Sequence, residues 1–152
     1  MNRKSFLALA VLGIILVAGC VQQGQTSQGV TVVRGAGGQA MLDGKCANEA
    51  YVNEISDYVV KGKITNVESK WNSDKTKIFT YTDIYIDEYA KGERFESNKL
   101  QIVTPGGCAD GICSDVEDQP TFTKGDFVQV RFHKSGDEYV VVCGFNGVSK
   151  IP

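Results

Sequence analysis

The fold of this chain is decided by the stretch Tyr58-Val59-Val60-Lys61-Gly62-Lys63-Ile64-Thr65-Asn66-Val67. It is rich in β-branched residues, which favour strands, and it carries a glycine in its middle. A glycine inside a strand often marks a bend or a bulge where a sheet curls. We therefore predict that this stretch is the bent first strand of a strongly curved sheet.

Four further strands are predicted after this one, at residues 77–89, 100–104, 127–132 and 139–143, separated by turn residues such as Asn72-Ser73-Asp74. Apolar residues at helical spacing over 47–55 predict a short helix before the first strand. A bent first strand and a long connection between the third and fourth strands predict an all-β protein, a small OB-like five-stranded barrel with a short N-terminal helix. An open β-sandwich is the alternative architecture.

The N-terminus has the layout of an export signal. Basic Arg3 and Lys4 precede an apolar run over residues 6–18, which is about 13 residues and shorter than the ~20 that span a bilayer. The run ends in Val17-Ala18-Gly19-Cys20, which resembles a lipobox, the site where a leader is removed before a cysteine that receives lipid. We predict a lipoprotein signal peptide over 1–19, lipidation of Cys20, and a location on the extracytoplasmic face of the cell membrane. An uncleaved membrane helix is the alternative.

The segment after Cys20 differs in composition from the rest of the chain. Residues 20–39 are rich in Gln, Gly, Ser and Thr without a hydrophobic period, so we predict a flexible tether. A short strand at residues 30–33 is an additional interpretation of the same segment. Residues 40–152 are then the β-barrel domain.

The charge balance limits the partners. Loss of two basic residues with the signal takes the formal net charge from −2 to −4, because no acidic residue leaves with them. A mildly acidic domain lacks the basic field that nucleic acids require, so we predict no nucleic-acid partner. Gly106-Gly107 lacks the Gly-Lys-Ser/Thr ending of a phosphate-binding loop, and no cofactor is predicted.

The chain has five cysteines, of which four remain if Cys20 is lipidated. Export and an even count favour disulfides, and four cysteines allow three pairings. We favour Cys108–Cys113, which are close within a glycine-rich loop, and Cys46–Cys143, which ties the start of the domain to its last long strand. A structural zinc site of four thiolates is the alternative, and no metal is assigned.

Aromatic residues form the main candidate binding face. On the outside of an OB-like barrel they could stack bases or sugars, whereas core packing or cross-strand pairing is their usual role. The residues of this predicted face are Trp71, Phe79, Tyr81, Tyr85 and Tyr89.

Two further groups have a less specific pattern. His133, the only histidine, precedes a turn and is interpreted as a surface residue rather than a general base or metal ligand. The 110–118 loop is acidic and could hold calcium or supply the acid and base of a hydrolase, although acidic loop residues are usually just solvated and the spacing is not that of an EF-hand. Its acidic residues are Asp110, Asp115, Glu117 and Asp118.

Several segments together resemble a group of small secreted or lipid-anchored β domains of archaea and bacteria. The resemblance covers residues 46 to 152 and implies a compact β domain outside the cytoplasm, and it brings no catalytic residues. The segments that carry it are residues 55–62, Thr80-Tyr81-Thr82-Asp83, Lys91-Gly92-Glu93, Val103-Thr104-Pro105-Gly106-Gly107, Glu117-Asp118-Gln119-Pro120 and residues 122–128.

These observations lead to one functional expectation and one alternative. We expect a lipid-anchored extracytoplasmic β-barrel domain that acts as a non-catalytic binding or envelope-interaction module. Its partners would be the membrane, through the lipid on Cys20, and an envelope protein or small ligand. The alternative is an envelope hydrolase that uses carboxylates of the 110–118 loop.

Overall fold

The computed structural model describes residues 29–35 and 44–152. The predicted signal peptide, Cys20 and tether residues 20–28 and 36–39 lie outside the described residues. The described part contains one α-helix, α1 (Glu49–Ile55), and no helix in it is long and apolar enough to cross a membrane. Its strands are β1 (Val30–Arg34), β2 (Tyr58–Trp71), β3 (Ile78–Lys91), β4 (Lys99–Pro105), β5 (Gly107–Ala109), β6 (Ile112–Ser114), β7 (Phe127–Ser135), β8 (Glu138–Val141) and β9 (Val148–Ile151).

Seven of these strands form one mixed sheet. Their order is β2-β3-β4-β1-β8-β7-β9, and β2 also pairs with β7. β1 is parallel to both of its neighbours, whereas the other pairs are antiparallel. β5 and β6 form a separate two-stranded hairpin. The predicted all-β class with one short helix is confirmed, and the sheet has seven strands rather than the five predicted.

Strand β1, which precedes the strand predicted to be the first, changes the predicted domain boundary. β1 inserts between β4 and β8, and Val33 in it is fully buried in the core. Arg34 at its end forms an exposed ion pair with Glu138, with Arg34 Nε 2.8 Å from the carboxylate. The short strand suggested at residues 30–33 is therefore present. The described part of the predicted tether belongs to the sheet, and the domain begins before residue 40, because a parallel strand paired on both sides is not a linker.

The glycine of the deciding stretch has the predicted role. The register of β2 against β3 shifts between Lys61 and Gly62, so a bulge occurs at this glycine. A Cβ atom there would overlap the backbone carbonyl oxygen of Tyr85, so only glycine permits this approach of the two strands. The inner face of the curved sheet is the core, which includes Val60, Ile64, Ile84, Ile86, Leu100, Ile102, Val128, Val130 and Phe132.

The helix is shorter than predicted and is held by polar contacts. A 3₁₀ turn at Gly44–Ala47 precedes it, and the Asn48 side chain caps α1 by accepting from the Ala50 N–H over 2.9 Å. Val52 on α1 is buried in a small second core that also contains Cys46, Val142 and Cys143. Arg131 on β7, which is only 1% exposed, donates to Asn53 Oδ1 over 2.6 Å and so ties the helix to the sheet.

Both predicted disulfides are present. Cys46–Cys143 joins the 3₁₀ turn before α1 to the residues after β8, and its cysteines are 5% and 2% exposed. Cys108–Cys113 joins β5 to β6 at directly opposed positions, and both of its cysteines are exposed. One covalent link is therefore buried in the second core and the other lies on the surface.

Candidate binding face

Three of the five predicted aromatic residues lie on the outer face of β3. Ile78, Thr82, Ile84 and Ile86 are buried on its inner face. Because side chains alternate along a strand, Phe79, Tyr81 and Tyr85 point to the opposite side. Phe79 and Tyr81 are half-buried, and Tyr85 is 48% exposed. We call these three residues the outer aromatic row.

Tyr89 does not belong to the outer aromatic row. Lys61 pairs with Glu88 but Gly62 pairs with Ile86, which leaves Asp87 as an extra residue on β3. A bulge of this kind reverses the alternation beyond it. Tyr89 therefore faces inward, where its ring centroid lies 6.0 Å from that of Phe95. The structure therefore places Tyr89 against the core, apart from the other predicted residues on β3.

Trp71 is also separate from the outer aromatic row. It pairs with Ile78, so it lies on the inner side at the far end of the β2–β3 hairpin. There it lines a hollow of about 380 Å³ together with Ile112 and Val116. The alternation along β3 does not predict where Trp71 points, because Trp71 lies on β2. A further register shift between Ile64 and Asn66 changes which side chains of β2 face inward.

Polar side chains flank the outer aromatic row. Asp83 lies between Tyr81 and Tyr85 on the same face, and it accepts a hydrogen bond of 2.8 Å from the side-chain amide of Gln101 on β4. Lys99 on β4 is directly opposite Tyr85. A groove of about 400 Å³ is lined by Asp83, Tyr85, Lys99 and Gln101 together with Val30, Thr65, Ile84 and Leu100.

The other end of the row carries a cation. The ammonium of Lys70 on β2 lies 4.2 Å from the ring centroid of Tyr81, which is a cation–π contact.

The groove itself contains one carboxylate, from Asp83, and one ammonium, from Lys99. An aromatic ring beside a hydrogen-bonded carboxylate–amide pair offers an apolar platform together with donors and acceptors, without a strong field of either sign.

No family model, curated protein or solved structure matches this chain. Any functional statement therefore depends on the residues and geometry of the chain itself.

The acidic residues of the 110–118 loop occupy different structural positions. Asp110 is in the turn of the β5–β6 hairpin with a positive φ of 52°, and Asp115 lines a hollow of about 330 Å³ beside that hairpin. Asp118 has a φ of 68°, and its backbone carbonyl accepts from the Phe145 N–H. Within residues 29–35 and 44–152, no group of three His, Cys, Asp or Glu side chains is placed to hold a metal ion.

His133 is half-buried within β7, where it is opposite Val140 of β8. It lines a hollow of about 480 Å³ beside the Cys46–Cys143 disulfide, together with Tyr51, Ile55 and Asp57. The Asp57 carboxylate accepts a hydrogen bond of 2.9 Å from the Lys134 backbone N–H. The histidine thus lies two residues before the end of β7, as a residue that precedes a turn, and it is half-buried rather than fully exposed.

Two features of the structure are absent from the sequence predictions, namely the β4 side chains beside this face and the β5–β6 hairpin. Lys99 and Gln101 are not among the predicted site residues, although polar residues at these two alternating positions of β4, flanking buried Leu100, indicate side chains on the outer face. The sequence analysis predicts a glycine-rich loop where β5 and β6 form a hairpin, although Asp110-Gly111 is a strong two-residue hairpin turn signal. Three-residue strands are too short to show alternation, so the turn is the only local signal.

Proposed function

We propose that this chain is a lipid-anchored, extracytoplasmic binding module that is held to the membrane through Cys20. The outer aromatic row and its adjoining groove are its ligand-binding surface. The observation that carries the binding proposal is the position of Tyr85, an exposed ring next to the hydrogen-bonded Asp83–Gln101 pair. The two disulfides support a location outside the cytoplasm, where thiols are oxidised.

We also propose that the sheet is an OB-like barrel with one inserted strand. Support comes from the succession of pairings, which passes from β2 to β3 and β4, crosses β1 to β8 and β7, and returns to β2. Without β1 and β9, the five remaining strands are those predicted for the barrel. OB barrels bind ligands on the face of their second and third strands. The corresponding strands here are β3 and β4, which carry the outer aromatic row and its polar partners.

The proposed ligand is a small neutral compound rich in hydroxyl groups, such as an oligosaccharide. A sugar ring presents an apolar face that stacks on an aromatic side chain, and its hydroxyls both donate and accept hydrogen bonds. Asp83 and Gln101 provide matching acceptors and donors beside Tyr85. The net negative charge of the chain makes a polyanion a poor ligand.

Binding can be tested with full-length protein in detergent, using an array of neutral oligosaccharides and a single-stranded DNA oligomer for comparison. We expect binding to at least one oligosaccharide and none to the DNA. Tyr85→Ala should weaken binding by about tenfold or more, since stacking on one ring contributes about 1–3 kcal/mol. Phe145→Ala is the matched control, because Phe145 is an aromatic residue of similar exposure, 46% against 48% for Tyr85.

Equal loss of binding in the two variants, or binding that prefers DNA, would refute the ligand proposal. If the wild-type protein hydrolyses one of the probes and the Asp115→Ala/Glu117→Ala double variant does not, the hydrolase alternative is supported instead.

The anchor has a separate test. Mass spectrometry of the native protein should find an N-terminal peptide that begins at a lipid-modified Cys20, and Cys20→Ala should move the protein out of the membrane fraction. A native protein that retains residues 1–19 would contradict the proposed lipid anchor. The proposed binding surface would be unaffected, because it is tested separately by the oligosaccharide experiment.

A further inference from the structure

Two hollows adjoin the β5–β6 hairpin and share part of their lining. The hollow of about 330 Å³ includes Cys108 and Cys113, and the hollow of about 380 Å³ includes Trp71 and Ile112, which is 55% exposed. The residues that line both hollows are Pro105, Gly106, Ser114 and Val116. The position of β6 and the residues after it therefore determines how open the Trp71 hollow is.

The two strands of this hairpin are held in different ways. β5 is fixed to the sheet, because the Thr80 hydroxyl donates to the Gly106 carbonyl over 2.8 Å and Gly107 lies directly over the Ser69 and Thr80 hydroxyls. β6 is joined to β5 by a ladder of only three residue pairs and by the Cys108–Cys113 bond. Two-stranded hairpins of this size are marginally stable by themselves, so the disulfide supplies much of the hold on β6.

The two disulfides differ in their access to reagents. A thiolate must reach a sulfur atom before it can break a disulfide, so burial protects the bond. Cys46 and Cys143 are almost completely buried in the second core, whereas Cys108 and Cys113 are both exposed. An external thiol therefore reaches the hairpin disulfide in the folded protein and does not reach the other one.

We propose that Cys108–Cys113 is a site of thiol–disulfide exchange, and that its reduction by an external dithiol releases β6 and opens the Trp71 hollow. One thiolate of the dithiol attacks a cysteine sulfur, the S–S bond breaks, and the other cysteine leaves as a thiolate. The second thiol of the reagent then attacks the mixed disulfide and releases the first cysteine. The dithiol is oxidised to a disulfide, the protein disulfide is reduced, and the two protons of the reagent end on the two cysteines.

The exchange is tested by graded dithiothreitol on the folded full-length protein, followed by trapping of free thiols with N-ethylmaleimide and peptide mass spectrometry. We expect Cys108 and Cys113 to be labelled at about one tenth or less of the dithiothreitol concentration that labels Cys46 and Cys143. Labelling of all four at the same concentration, or of Cys46 and Cys143 first, would overturn the proposal.

The opening is tested through Trp71, the only tryptophan of the chain. Reduction of the hairpin disulfide should increase quenching of its fluorescence by acrylamide, and reoxidation should reverse the change. The Cys108→Ser/Cys113→Ser double variant should show the quenching of the reduced protein without any reagent, and low dithiothreitol should not change it further. Selective labelling of Cys108 and Cys113 with unchanged quenching would refute the opening. If the double variant does not fold, the reduction and reoxidation of the wild-type protein decide the question alone.

Discussion

Arg131 on β7 and Asn53 on α1 are joined by a hydrogen bond of 2.6 Å inside the protein, with the guanidinium almost completely buried. The same guanidinium donates to Ser149 Oγ on β9 over 2.9 Å and to the carboxylate of Glu49. One cation therefore holds a helix and two strands together. A buried charge that loses a partner is costly, which makes this contact a sensitive point of the fold.

Asn53→Ala should lower the free energy of unfolding by about 2 kcal/mol, because it leaves one donor of a buried charged group unsatisfied. The matched control is Glu54→Ala, which changes the adjacent exposed residue of the same helix. Urea unfolding of both variants gives the comparison. Equal midpoints for the two variants would show that the Asn53 contact contributes no stability.

Two threonines on the inner face of β3 should respond in opposite directions to the same substitution. The Thr82 hydroxyl is buried and has no hydrogen-bond partner among the described residues, whereas the Thr80 hydroxyl bonds to Ser69 and to the Gly106 carbonyl. Valine has a similar shape without the hydroxyl. Thr82→Val should raise the stability by about 1 kcal/mol, and Thr80→Val should lower it by about 1–2 kcal/mol. Thermal unfolding measures both, and a loss of stability in Thr82→Val would contradict this reasoning.

Gly62 should not tolerate a methyl group. A Cβ atom at this position meets the Tyr85 backbone carbonyl, whereas a Cβ at Gly44 meets nothing within 4 Å. Gly62→Ala should therefore destabilise the protein by about 1–3 kcal/mol through overpacking, and Gly44→Ala should have little effect. Chemical denaturation of the pair distinguishes a close backbone approach from a general effect of removing glycine.

The stability should fall at high pH because of Tyr58. Burial and a hydrogen bond with Tyr139 raise the pKa of the Tyr58 hydroxyl above its usual value of 10.0. The folded state then holds this proton more tightly than the unfolded state, so the contribution is fully present below about pH 10 and is lost as the pH rises through the raised pKa. Tyr58→Phe should make the stability less dependent on pH above 10. Identical pH profiles for variant and wild type would exclude this group as the cause.

Much of the fold could be predicted from local patterns. The strands β2, β3, β4, β7 and β8 each carry enough alternating or β-branched residues to be identified, and Gly62 correctly indicated a bulge. The cysteine pairing also followed from spacing and position. Apart from Cys46–Cys143, whose cysteines are 97 positions apart and are the pair that remains once Cys108 and Cys113 are joined, these features are indicated by residues close together in the sequence.

The remaining features depend on contacts between distant segments. The sequence of Val30–Arg34 does not indicate that this strand pairs in parallel with both β4 and β8, because both partner strands lie more than 60 residues away. The extra residue Asp87 turns Tyr89 inward, and this register shift is set by the facing strand β2. For the same reason the outer aromatic row contains three of the five predicted residues, and two of its polar partners, Lys99 and Gln101, come from the neighbouring strand β4.

The insertion of β1 has a mechanical consequence. Tension on the chain before Val30 acts along a strand that is hydrogen-bonded to β4 on one side and to β8 on the other. Because β1 is paired on both sides, a pull along the strand is opposed by the hydrogen bonds of both ladders at once. A force transmitted from the N-terminal side therefore enters the domain at a strand that is held by hydrogen bonds on both of its edges.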